Sequence, residues 1–339
     1  MKELPIRTAT VLGAGSWGTA LAVHLAQVGH DVRLWGRDEA FVADLSRRRA
    51  NAVYLPDITF PASLTPTASL PDALAGVDLV VVAVPSHGLR QVLRQGRAHV
   101  SRTAVVVSAT KGLEEGTLLR MSEVIASEWP LGRAIAALSG PSFAVELARQ
   151  LPTAVVVASA DVAAVEHVQE EFRSTALRLY GSRDLVGVEI GGALKNVIAI
   201  AAGVAEGLGL GHNAIAALIT RGLAEISRLA VGLGAERDTL AGLAGLGDLV
   251  LTCTGQLSRN RHVGAELARG RSLADILAST KMVAEGVRTT SAALALAERT
   301  GLELPIATQM AAVLDGRKDP TAALLDLMGR RQRAEAETR

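Results

Sequence analysis

With 339 residues, 49% of them hydrophobic and 20% charged, the chain is long enough for two cores and too apolar to be disordered. Its 35 basic and 34 acidic residues leave a formal net charge of +1, which excludes recruitment of nucleic acid or an anionic membrane by a global field; any anion must be held locally. The single cysteine, Cys253, can form no internal disulfide and reads as a small buried hydrophobe, so a reducing, cytoplasmic setting is expected.

The opening stretch MKELPIRTATVLGAG lacks the pattern of a signal peptide. Residues Thr8–Leu12 form a β-rich apolar run, Gly13–Gly18 a glycine-rich turn, and Thr19–Val28 a helical pattern that ends before Gly29. Together they open a βαβ unit whose next strand is Asp31–Trp35. Val-rich runs at Leu79–Val84, Ala104–Ser108 and Ala154–Ala158 alternate with helix-like segments, the signature of a parallel sheet covered on both faces. After about Asp184 the β-branched runs stop, and Ala/Leu/Gly-rich helical patterns continue from Val188 to Leu327, including Asn213–Leu233 and Thr289–Arg299. The expected fold is α/β: an N-terminal Rossmann domain (a doubly wound, mainly parallel sheet) over residues 1–186 and an all-α domain over 187–329. The junction falls within 184–190, and 330–339, RRQRAEAETR, forms a disordered tail with no apolar face. The most apolar runs, Asp78–Pro85 and Ala193–Ala205, are shorter than the roughly 20 residues of a membrane span, and the second carries Lys195 and Asn196, so no span is expected.

Gly13, Gly15 and Gly18 spell GxGxxG between a predicted strand and a predicted helix, the context of a dinucleotide fingerprint. Gly13 permits the tight turn, Gly15 lets backbone approach a pyrophosphate, and Gly18 lets the helix pack on the strand, while the helix N-terminus offers unpaired N–H groups. Ser16 and Trp17 lie inside this loop. After the second strand the sequence reads Trp35, Gly36, Arg37, Asp38. Arg37 stands where a cation for a 2′-phosphate is wanted, and Asp38 comes one position late for a ribose anchor, which favours NADPH over NADH. The alternative for Arg37 is a solvated surface charge.

That fingerprint says only that a dinucleotide binds; the chemistry must come from the remainder. Ser108–Gly112 places Lys111 at the carboxyl edge of a strand, pointing into the ligand crevice. Leu138–Ala144, LSGPSFA, is a turn whose N–H groups and hydroxyls suit an oxygen-rich substrate; either segment could also be a surface loop. Gly191–Ile198 sets Lys195 and Asn196 in an otherwise apolar helix, where a buried ammonium is costly unless paired or used; the alternative is a lysine snorkelling to solvent. Asp248, in the glycine-rich turn Leu243–Leu249, could pair with Lys195, and Ser258–Arg261 offers the Arg259 guanidinium and the Asn260 amide to a phosphate. Glu285, in Val283–Val287, is ambiguous between a cofactor contact and a helix N-terminal charge. His24, His30, His87, His99, His167, His212 and His262 show no paired metal spacing, and no metal is expected.

Over roughly residues 6–328 the chain resembles bacterial-type NAD(P)-dependent glycerol-3-phosphate dehydrogenases, with GAGSWG, SATKG, LSGPSFA, LKN followed by AAGVAEGLGLGHNA, GLGDLVLTCTG, SRNR and VAEGV in that order. The resemblance implies a cleft between two domains and reduction of dihydroxyacetone phosphate to glycerol 3-phosphate, a precursor of phospholipids. It also implies that Lys195 is the proton donor or acceptor, with Lys111, Gly140, Ser142, Asp248, Ser258, Arg259 and Asn260 around the substrate. Gly13, Gly15, Ser16, Trp17, Gly18, Arg37, Lys111, Ala144, Arg259, Val283 and Glu285 would then contact the cofactor. The physical reading agrees: such a lysine needs a pKa lowered by burial or by Lys111, with Asp248 orienting it. The segment CTGQL and the region after Trp35 depart from the family's pattern, which bears on loop detail and on the choice of NADPH or NADH.

Two competing readings are a related two-domain dehydrogenase acting on a hydroxy acid or sugar acid, and a nucleotide-binding sensor without catalysis. The first would not require SRNR beside GLGDL, and the second would not keep Lys111, Lys195 and Asp248 together. A phosphorylated small molecule is the expected partner, and the helical half has Ala/Leu surface enough for a homodimer.

Overall fold

The structure is a computed structural model that describes residues 7–130, 135–279 and 284–331; Val283 and the tail from 332 onward lie outside the described residues. Ten strands occur among them: β1 Thr8–Leu12, β2 Asp31–Trp35, β3 Ala50–Asn51, β4 Leu55–Thr59, β5 Leu64–Thr67, β6 Leu79–Val82, β7 Val105–Ser108, β8 Ile135–Ser139, β9 Thr153–Ala158 and β10 Leu177–Ser182. Eight build one sheet in the order β10-β9-β8-β7-β6-β1-β2-β5, and β3 and β4 form a separate ribbon. Helices cover both faces, so every residue of β6 and β7 is buried, which is why these strands read as continuous apolar runs.

From β5 across to β8 all neighbours are parallel, but β9 runs antiparallel to β8 and carries β10 with it. This corrects the expectation of a parallel strand at Ala154–Ala158. The link from β8 to β9 contains only the five-residue helix Ala144–Ala148, too short to return the chain along the sheet as a parallel crossover requires. An apolar run specifies burial and leaves strand direction open. Strands β3, β4, β5, β8 and β10 also escape the sequence reading; β4 and β5 each carry a proline, which weakens a strand pattern, and β4 is mostly exposed.

Beyond Ser182 all regular structure among the described residues is helical. Helix Leu185–Gly207 is long and apolar enough to cross a membrane by length and composition, yet 89% of its most apolar window is buried in protein, as in a core helix. Helix Arg259–Ala268 lies directly against it: a Cβ on Gly203 would meet the Arg261 carbonyl oxygen at 1.8 Å, and one on Gly264 the Ile200 oxygen at 1.9 Å. Only glycines permit that backbone approach. Buried Glu189 ties the same helix to the first half, accepting from the Ser122 N–H at 2.8 Å and from Arg120 Nη1 at 2.6 Å. Burial pushes its carboxyl above the usual range, with Arg120 opposing. Cys253 is buried and its thiol is pushed up to about 12 by that burial, so it packs as an inert hydrophobe.

Candidate active site

In the sheet β1 lies between β6 and β2, and the crossovers leave these neighbours in opposite directions, so a crevice opens at the carboxyl ends of β1 and β6. The loops after β1, β6, β7 and β8 all end there. Gly13 sits at φ +117°, and a Cβ on it would strike the Ala83 oxygen at 2.7 Å; one on Gly18 would strike the Gly13 oxygen at 1.9 Å. Gly15 differs: its φ of −76° suits any residue, and a Cβ on it would meet nothing within 4 Å. The fold therefore requires Gly13 and Gly18, whereas a molecule lying over the loop would require Gly15. Helix Ser16–Gln27 begins here with no side-chain cap on its first turn, and Trp17 Nε1 is buried without a partner among the described residues. Open backbone donors, an unused indole N–H and the vacant side of Gly15 fit a dinucleotide diphosphate.

At the end of β2, Asp38 caps helix Glu39–Arg48 by accepting from the Phe41 N–H at 2.7 Å, so its carboxylate is spent locally. Arg37 is exposed and makes no ion pair with any described residue.

The two lysines converge on one carboxylate. Lys111 Nζ donates to Asp248 Oδ2 at 2.7 Å and to the Gly140 carbonyl at 3.1 Å. Lys195 Nζ donates to Asp248 Oδ1 and, at 2.9 Å, to Thr252 Oγ1. Lys195 is 7% exposed and Asp248 1%, so this lysine does not snorkel to solvent. Burial lowers the Lys195 pKa to about 7; Asp248 opposes the shift and Lys111 adds to it. Asp248 reaches this position because a π-helical turn, Leu243–Gly247, packs on helix Leu185–Gly207 and hands over to helix Asp248–Thr254. A Cβ on Gly191 would meet the Ala244 oxygen at 2.8 Å, so the close seat of that turn depends on this glycine.

Gly140, at φ +139°, turns its carbonyl toward Lys111 and toward Ser142 Oγ, which donates to it at 2.9 Å. Ala144 opens the next short helix. Ser258 caps helix Arg259–Ala268 by accepting from the Arg261 N–H at 3.3 Å. Arg259 reaches solvent, although protein crowds it enough that desolvation lowers its pKa, with Glu285 opposing. Asn260 is engaged internally: its Nδ2 donates to Asn196 Oδ1 at 3.0 Å, and its Oδ1 accepts from the Gly286 N–H at 3.0 Å, leaving one amide hydrogen for a ligand. Glu285 accepts from Ser86 N at 3.1 Å and from Ser86 Oγ at 2.6 Å, so it caps helix Ser86–Gly96 from the opposite half of the molecule while starting its own helix.

Thr252, Ser86 and also Asn51, whose Nδ2 donates to the Ala14 carbonyl of the glycine loop at 3.0 Å, were missed by sequence reasoning. Thr252 stands one helical turn after Asp248, a spacing that could have identified it. The other two are recognisable only by long-range contacts.

Residues 8–165 match the family described as NAD-dependent glycerol-3-phosphate dehydrogenase N-terminus, and residues 184–325 match its C-terminus. Among curated proteins, the glycerol-3-phosphate dehydrogenase [NAD(P)+] of Koribacter versatilis is 53% identical over 324 residues, covering 94% of this chain and 96% of the relative. That of Myxococcus xanthus is 50% identical, covering 96% of this chain and 98% of the relative. A crystal structure of glycerol-3-phosphate dehydrogenase from Coxiella burnetii superposes with a TM-score of 0.92 at 40% identity, covering 96% of this chain and 99% of that one. The chain belongs to the NAD-dependent glycerol-3-phosphate dehydrogenase family.

Proposed function

We propose that this protein is an enzyme that reversibly reduces dihydroxyacetone phosphate to sn-glycerol 3-phosphate with NADPH or NADH, in the cytoplasm, supplying glycerophospholipid synthesis. The observation that carries the reading is a buried lysine, Lys195, held by Asp248 with Lys111, which follows β7 at the same edge of the sheet as the glycine loop after β1; burial lowers the Lys195 pKa to about 7. Bound there, the reduced nicotinamide supplies the hydride that the ketone carbon accepts. Lys195 as ammonium polarises the ketone oxygen and protonates it; in the reverse direction its neutral amine takes the hydroxyl proton. Asp248 holds the ammonium in place, and Lys111 keeps its pKa low and adds positive charge at the cleft. Arg259, with the spare N–H of Asn260, receives the substrate phosphate, a planar donor fork matched to phosphate oxygens. Gly140, Ser142 and Ser258 line the substrate side, and Gly13, Gly15, Ser16, Trp17, Gly18, Ala144 and Glu285 the cofactor side. The division into a dinucleotide-binding domain, 1–186, and a catalytic domain, 187–329, is part of the same reading; it is supported by one large apolar cluster within Ala9–Leu177 and another made, apart from Leu113, of residues from Ile190 onward, while a small cluster of Ala137, Ala158, Val188 and Ala244 joins the two halves.

The test is NADPH absorbance with purified protein and dihydroxyacetone phosphate. Oxidation should be rapid and should fall by about 100-fold or more with unphosphorylated dihydroxyacetone, since the Arg259 site is then left unpaired. A folded protein that oxidises neither NADPH nor NADH would sink the assignment. In the same assay the exposed Arg37, which makes no ion pair with any described residue, should make NADPH the better cofactor, and Arg37→Ala should cost NADPH about 10-fold while leaving NADH within a factor of about two. An unchanged preference removes Arg37 from the site.

The helical half also exposes Leu246, Val250 and Leu257, a surface suited to a second copy of the chain. Light scattering should give a dimer mass at micromolar concentration; a monomer dismisses the interface.

A further inference from the structure

The β3–β4 ribbon sends one side chain into the nucleotide loop. Asn51 is wholly buried, and its amide makes three bonds: Nδ2 donates to the Ala14 carbonyl at 3.0 Å and to Thr19 Oγ1 at 2.8 Å, while Oδ1 accepts from the Tyr54 N–H at 3.0 Å. Ala14 lies between Gly13 and Gly15, and Thr19 is in the first turn of helix Ser16–Gln27. One amide therefore grips the loop and the helix start from outside both. In a trans peptide the carbonyl and the following N–H point in opposite directions. Holding the Ala14 carbonyl against Asn51 thus turns the Gly15 N–H away from the ribbon. No acceptor among the described residues takes that N–H, and the space beside Gly15 is open to 4 Å.

We propose that Asn51 is a positioning residue for the cofactor diphosphate: it aims the Gly15 N–H and fixes the first helical turn, so the loop's donors face the anion without reorganising. The inference rests on the reading of the glycine loop as a dinucleotide site. The residue type follows from the geometry, because the position must donate twice and accept once over this reach. Aspartate would set a carboxylate oxygen against the Ala14 carbonyl, and alanine would leave that carbonyl and Thr19 unpaired.

Titrations of the native, Asn51→Ala and Asn51→Asp proteins with NADPH, ADP-ribose and adenosine separate positioning from packing. ADP-ribose carries the diphosphate and adenosine lacks it. In Asn51→Ala the Kd for NADPH and ADP-ribose should rise about 10-fold, the weight of one well-aimed hydrogen bond to an anion, and further in Asn51→Asp. Adenosine affinity, and kcat at saturating NADPH, should stay within a factor of about two, since neither depends on the aimed donor. Should these variants fail to fold, Thr19→Val releases one side of the grip and should weaken NADPH by a few-fold without touching adenosine. Unchanged NADPH binding in a folded Asn51 variant, or parallel weakening of adenosine, overturns the positioning role. Failure of the native protein to bind NADPH overturns the dinucleotide reading itself, a distinguishable result.

Discussion

Lys195→Ala should lower kcat for dihydroxyacetone phosphate reduction by about three to four orders of magnitude, the combined weight of a lost general acid and a lost cation at the developing oxyanion. NADPH affinity should change little, because Lys195 lies in helix Leu185–Gly207 and the glycine loop proposed to hold the dinucleotide follows β1. The pH dependence has a definite sign. Reduction needs the ammonium, so kcat/KM should fall as pH rises through about 7, where burial and Lys111 have placed the lysine; oxidation of glycerol 3-phosphate needs the free amine and should rise through the same range. The substrate phosphate also titrates near pH 6, so the fall in reduction is read on the alkaline side. A variant keeping more than about a tenth of native kcat, beyond what general acid catalysis allows, removes Lys195 from the proton transfer. A native profile flat between about pH 6 and 9 would contradict the lowered pKa.

Asp248→Asn should be nearly as damaging for a different reason. The carboxylate lies between two ammonium groups and is 1% exposed, so its neutralisation leaves Lys111 and Lys195 facing each other with an amide between them. Removing one partner from a buried pair costs about 3–5 kcal/mol, relieved here if Lys195 gives up its proton. The alkaline limb of the reduction profile should therefore move below pH 7, because Asp248 is the group that holds the Lys195 pKa up, and kcat at neutral pH should fall by about 100-fold or more. Melting curves recorded beside the kinetics separate lost chemistry from lost fold. A limb that moves to higher pH, or not at all in a folded variant, would show that Asp248 does not hold the proton on Lys195.

Elements with a local signature were legible. The glycine loop announces itself through the strand before it and the helix after it, and Lys195 through the cost of an ammonium in an apolar helix. Contacts between distant segments were not. That Asn260 is also bonded within the protein was hidden, because an exposed amide and an engaged one look alike in sequence; its bonds to Asn196 and Gly286 appear only once three helices meet. Glu285 was ambiguous for the same reason, and its role as a cap on helix Ser86–Gly96 depends on a residue 199 positions away. Asn51 carries no local sign at all, since a buried asparagine and a turn asparagine differ only in what surrounds them.

By itself the sequence determined the α/β first half, the helical second half, the glycine loop between strand and helix and the lysine that cannot be left unpaired, because periodicity, glycine spacing and the desolvation cost of charge are local properties of the chain. The tertiary structure alone decided that β9 and β10 reverse, that Asp248 bridges two lysines rather than one, and that Asn51 holds the loop. These depend on which segments meet, and that is settled by packing over the whole core, where a single apolar run is compatible with either strand direction and any of several neighbours.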